Sequence, residues 1–125
     1  MKKIISTDKA PAAVGPYSQA VEAAGTLYIS GQIPLDPSTG MMPEGVEAQA
    51  EQVFANIGAI LTAAGYGFGD VVKSTVLLAD IGDFGVVNAV YARYYTADQP
   101  ARACYQVAAL PMGAMVEIET IAIKI

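Results

Sequence analysis

Residues 46–64 place Val46, Ala50, Val53, Phe54, Ile57, Ile60, Leu61 and Ala64 at three- and four-residue steps. That spacing predicts one long helix with a single apolar face. Glu44 and Glu47 lie near its positive N-terminal end, and Gly65 is a natural stop. An apolar face this long has to be covered, and the rest of the chain supplies mainly strands to cover it. Residues 71–78 are β-branched and apolar, as in a largely buried strand. A second stripe, Phe84, Val87, Tyr91 and Tyr94, predicts a shorter helix with Asp80 or Asp83 as its cap.

The remaining segments read as strands and turns. Residues 2–6 suit a short edge strand, and residues 8–18, with Pro11, Gly15 and Pro16, a loop of fixed turns. Residues 19–23 and 26–30 flank Ala24-Gly25, a hairpin pattern with Gly25 in a left-handed turn position. Residues 31–40 are irregular, broken by Pro34, Pro37 and Gly40. Gly65-Tyr66-Gly67-Phe68-Gly69 invites a phosphate-loop reading, but such a loop follows a strand and opens a helix. Here a helix precedes and a strand follows, so the run reads as a helix cap and a turn. After a turn at residues 96–99, Pro100 starts a strand that reaches Val107; Pro111 and Gly113 make the next turn, and residues 115–123 form the last strand. The order predicts an α+β fold in one domain over residues 1–125, about six strands in a mixed sheet with two helices on one face. The other face carries apolar residues that nothing left in the chain can cover. A homo-oligomer packed through that sheet face is the expected solution.

Composition narrows the function. The 125 residues are 54% hydrophobic and 15% charged, apolar enough to expect a subunit interface beyond the core. A net charge of −5, with no basic cluster beyond Lys2-Lys3, argues against nucleic-acid binding, which rests on neutralising phosphates. One cysteine permits no intrachain disulfide. The absence of histidine removes Ser-His and Cys-His nucleophilic schemes and His-ligated metal sites. The start has no apolar core of the signal-peptide kind, and no run of about 18 uncharged apolar residues exists to span a membrane. A soluble, cytoplasmic protein is expected.

The strand at residues 100–107 carries the main candidate. Alternation sets Ala101, Ala103, Tyr105 and Val107 on one face and Arg102, Cys104 and Gln106 on the other. An Arg among small and apolar neighbours needs an anion: either the carboxylate of a small substrate, or Glu117 or Glu119 on a neighbouring strand. Glu117, acidic in an apolar strand, is either that ion-pair partner or a base that orients water. Cys104 reads first as a small buried apolar residue, its thiol having no histidine to activate it. Tyr17, after Gly15-Pro16, can close over a ligand or simply pack on the surface. Ser30-Gly31 ends a strand where backbone can approach a ligand or merely turn. Asn88, a poor helix former inside a helix, bridges to a neighbouring segment or subunit or faces solvent.

Several of these stretches resemble one family. The run Ala10-Pro11-Ala12-Ala13-Val14-Gly15-Pro16-Tyr17-Ser18-Gln19-Ala20 is similar to the N-terminal signature of the RidA/YjgF reactive-intermediate deaminases. So are Ser30-Gly31-Gln32-Ile33-Pro34, the pattern Asp83-Phe84 with Val87-Asn88 and Tyr91, and the C-terminal set Pro100-Ala101-Arg102, Cys104, Leu110-Pro111 and Val116-Glu117-Ile118-Glu119. The similarity runs nearly end to end. It implies a chorismate-mutase-like subunit, a homotrimer with clefts between subunits, and cofactor-free, metal-free hydrolysis of 2-imino acids or their enamine tautomers, such as 2-iminobutanoate and 2-iminopropanoate, to 2-oxo acids and ammonia. It assigns carboxylate binding to Arg102 and water activation to Glu117, and it places Tyr17, Ser30, Gly31, Asn88 and Cys104 at the pocket. One departure stands out: the turn at residues 96–99 is a few residues shorter than in many relatives, which bears on the rim of the cleft. Two rival readings remain: a non-catalytic module that binds small carboxylates such as 2-oxo acids in the same Arg102 cleft, and an RNA-cleaving translation inhibitor, against which the acidic balance and the lack of histidine both count.

Overall fold

The computed structural model describes residues 1–124. Its elements run β1 (Lys3–Ile5), β2 (Ala20–Ala23), β3 (Thr26–Gln32), α1 (Val46–Ala64), β4 (Val71–Leu78), α2 (Phe84–Tyr94), β5 (Ala101–Gln106) and β6 (Val116–Ile123). The eight strands and helices expected from the sequence are all present, with ends within a few residues.

The strands form one sheet in the order β1-β2-β3-β6-β4-β5. Every pairing is antiparallel except β4 with β5, which are joined through α2, as a parallel pair requires a long crossover. The β2–β3 turn holds Ala24 at φ 50° and Gly25 at φ 78°, both left-handed. α1 ends at Gly65 (φ 81°), where the Gly65 N–H donates to Thr62 O at 3.0 Å and the Tyr66 N–H to Leu61 O at 2.8 Å. That paired arrangement is a Schellman cap, and it disposes of the phosphate-loop reading. Asp80, not Asp83, makes the side-chain cap before α2, accepting from the Gly82 N–H at 2.8 Å.

Both helices lie on one face of the sheet, and the core fills the space between. Phe54, Ile57, Ile60 and Leu61 of α1 meet Leu27, Val76, Leu78, Val116 and Ile118 of the sheet, all essentially without solvent contact. Phe54 anchors the junction of the helices, stacked on Tyr94 at 4.5 Å and edge-on to Tyr91 at 5.8 Å. The predicted α2 stripe is rotated slightly: Val87, Val90 and Tyr91 are buried, while Phe84 remains 38% exposed.

The opposite face is open. Pairing carries Tyr28, Ile121, Lys73 and Ala101 across it, and Leu77 beside Glu117 and Tyr105. Tyr28 and Tyr105 are each about half exposed there, and Ile123 is 41% exposed. The expected uncovered apolar face therefore exists.

Candidate active site

Arg102 sits on the edge strand β5 directly opposite Ser74, which in turn lies opposite Thr120. Ser74 and Thr120 are buried beneath the helices, and paired residues share a face. The Arg102 side chain therefore rises beside α2. Phe84, Asn88 and Tyr91, spaced by four and three, form the flank of α2 that meets it. The guanidinium carbon lies 4.9 Å from the Tyr91 ring centroid and 5.4 Å from that of Phe84. Nη1 donates to Asn88 Oδ1 at 2.5 Å. Asn88 thus bridges to a neighbouring segment instead of facing solvent.

Of the two kinds of anion offered for Arg102, the glutamates do not pair with it: β4 stands between β5 and β6, and both ion pairs among the described residues belong to Arg93. Arg102 is exposed, because β5 is an edge strand flanked by α2 alone. The free cation borders a cleft of about 350 Å³ lined by Asn88, Tyr91, Tyr95, Gln99, Pro100 and Arg102.

Cys104 follows on the same face, half-buried. Burial pushes its thiol up, against a smaller opposing pull from Arg102, so it stays protonated near neutrality and is no thiolate nucleophile. Its backbone is better placed for binding. The Val107 N–H donates to Leu78 O at 2.9 Å, so alternate residues back from Val107 turn their polar groups toward β4. The N–H and C=O of Arg102 and Cys104 then face the free edge of the sheet.

A second group gathers elsewhere. Glu117 points to the open face and packs directly over Gly31: a Cβ added at Gly31 would fall 2.0 Å from Glu117 Oε2. Only glycine leaves that carboxylate its place. Burial raises the Glu117 carboxyl above the usual carboxylate range, and the like charge of Glu119 raises it further. Ser30 ties this group to the loop that holds Tyr17: its Oγ donates to Ser18 O at 2.6 Å and its N–H to Gln19 O at 3.0 Å. Tyr17 itself is exposed.

The candidate residues therefore fall into two half-sites. Arg102, Asn88 and Cys104 lie at the β5 edge on the helix side; Ser30, Gly31 and Glu117 lie around β3 and β6 on the open side, with Tyr17 in the loop that Ser30 holds. Their strands are two to three sheet spacings apart, roughly 10–14 Å. Among the described residues, no cluster of His, Cys, Asp and Glu is arranged to hold a metal, and no helix is long and apolar enough to cross a membrane.

A family model described as endoribonuclease L-PSP matches residues 7–124. The chain belongs to this family, that of the RidA and YjgF proteins. A mouse member named 2-iminobutanoate/2-iminopropanoate deaminase is 59% identical over 99% of this chain and 93% of its own length. The crystal structure of RidA from an Antarctic Psychrobacter is 56% identical, with a TM-score of 0.95 over 98% of this chain and 99% of that one. Escherichia coli TdcF with bound serine is 44% identical, also with a TM-score of 0.95, over 98% and 99%. The resemblance to the RidA/YjgF family read from the motifs is thus correct.

Some residues that shape the site in this family member escaped the sequence reading. Gln19 holds the Tyr17 loop, accepting from the Thr7 N–H at 2.7 Å and donating from Nε2 to Pro11 O at 2.8 Å. Asn56 pins the segment after β3, donating to Ile33 O at 3.1 Å and Leu35 O at 3.0 Å. The available signal was Asn56 beside Ile57 within the apolar face of α1, where a polar residue must have a partner. Phe84 and Tyr91 were read as core stripe, and nothing in the sequence marked them as neighbours of Arg102.

Proposed function

We infer that this protein hydrolyses 2-imino acids, or their enamine tautomers, to 2-oxo acids and ammonia, as the names of its close relatives state for them. The observation that carries the reading is Arg102: a cation held in place, exposed, beside a cleft and, among the described residues, without an acidic partner. With Nη1 engaged by Asn88, the Nε and Nη2 edge remains for two parallel hydrogen bonds to a carboxylate. Serine bound to the TdcF relative carries such a carboxylate.

The chemistry asked of the site is modest, because the C2 of a 2-imino acid is already electrophilic. Arg102 holds the carboxylate, and an outward backbone carbonyl at Cys104 accepts from the imine N–H. Glu117 takes a proton from water as its oxygen adds to C2, and the C=N bond becomes a C–N single bond. That proton is returned to nitrogen, giving a carbinolamine; the proton of the C2 hydroxyl then also passes to nitrogen, the C–N bond breaks, ammonia leaves, and the C2 oxygen becomes the carbonyl of the 2-oxo acid. Within one chain Arg102 and Glu117 stand on opposite faces of the sheet. Each working cleft therefore takes Arg102, Asn88 and Cys104 from one copy and Tyr17, Ser30, Gly31 and Glu117 from the next, in a homotrimer built on the open sheet face. The cytoplasm is the expected compartment.

The test is release of 2-oxo acid from freshly generated 2-iminobutanoate or 2-iminopropanoate. Wild-type protein accelerates it; Arg102→Ala loses at least two orders of magnitude in kcat/KM while keeping its oligomeric state. Binding of 2-oxo acids without turnover would favour the carboxylate-binding module instead.

A further inference from the structure

We propose that Phe84 and Tyr91 are positioning residues that hold the Arg102 guanidinium between two aromatic rings, so that the cation is ordered before substrate arrives. The proposal rests on the carboxylate-binding role given to Arg102 above.

Three observations lead to it. Phe84, Asn88 and Tyr91 occupy successive turns of one flank of α2, and all three converge on one guanidinium, at 5.4 Å, 2.5 Å and 4.9 Å. Tyr91 is a rigid platform: it is buried, edge-on to Phe54 and 4.6 Å from Tyr95. Phe84 is the opposite case, a large apolar side chain 38% exposed that the core does not need.

An exposed Arg on an edge strand would otherwise sample many rotamers, and a carboxylate would have to order it on binding. Two ring faces and one amide oxygen remove that freedom beforehand, and the rings take up none of the N–H donors. Asn88 fixes one nitrogen, which decides which edge of the fork is presented.

The variant to make is Phe84→Leu, since Phe84 is on the surface and its loss leaves the core intact. Two quantities are read: the 15N heteronuclear NOE of the Arg102 Nε–H in ligand-free protein, and the Kd for 2-oxobutanoate by calorimetry. We expect the NOE to fall and the Kd to rise three- to tenfold, about the range of one cation–π contact. The melting temperature should stay unchanged, and Phe84→Tyr should restore both signals. An NOE as high in Phe84→Leu as in wild type overturns the proposal, as does a fallen NOE with unchanged affinity. If wild-type protein fails to bind 2-oxobutanoate, the carboxylate reading of Arg102 falls, and the NOE still decides whether the rings hold it.

Discussion

Glu117 is the residue whose environment makes the sharpest demand. Half-buried on the open face and beside Glu119, it holds its proton to a higher pH than an ordinary carboxyl of about 4.3. A base must be ionised, so kcat/KM should fall toward acid with a midpoint above that value, and Glu117→Gln should remove this limb while lowering the plateau. The stability effect has the opposite sense. With the folded pKa raised, the contribution of Glu117 is favourable below the unfolded pKa and lost as pH rises through the folded one. Urea unfolding of Glu117→Gln should therefore show it gaining on wild type between acid and neutral pH. Gly31→Ala tests the same carboxylate through its neighbour: the added methyl must displace it, and a misplacement of about 1 Å costs on the order of 10²-fold in kcat. Binding of a 2-oxo acid at Arg102 should survive that change. From residue type alone, Arg102 could be assigned an anion but not a choice between substrate and glutamate; that choice rests on which strand lies next to β5.

Elements were more legible than their arrangement. The three- and four-residue steps of α1, the Gly65 stop and the Ala24-Gly25 turn are local signals, and each appears where the chain predicts it. Strand order is a long-range matter. The expectation that β5 and β6 are neighbours failed because β4 pairs with both, antiparallel to β6 and parallel to β5 across the α2 connection. Two consequences can be measured. Ala24 holds a left-handed φ of 50°, disfavoured for a side chain with a Cβ, so Ala24→Asn, giving the Asn-Gly pair this turn type prefers, should stabilise by about 0.5–1 kcal/mol. A thermal melt shifted up by a few degrees would report it. Phe54, without solvent contact and in the centre of the aromatic junction, should cost about 3–5 kcal/mol as Phe54→Ala, read from denaturant midpoints.

For the molecule as a whole, the two faces of the sheet set the problem. One is sealed by α1 and α2; the other exposes Tyr28, Tyr105 and Ile123 around Glu117 and Lys73, a patch that monomeric proteins seldom leave bare. In the assembly proposed above, packing of copies through that face covers the apolar residues and brings Glu117 of one copy toward Arg102 of another. Charge gives no comparable support to an RNA-cleaving role, since phosphates would meet a chain of net charge −5. The expected result is a trimer in sedimentation velocity. Ile121→Asp, on the open face of β6 opposite Tyr28, should dissociate it while far-ultraviolet circular dichroism stays native. Because neither half-site is complete alone, the dissociated variant should lose deaminase activity although Arg102 and Glu117 are untouched, and mixing it with Arg102→Ala should not restore wild-type rates. A wild-type monomer with full activity would show that one chain suffices and that Glu117 is not the base.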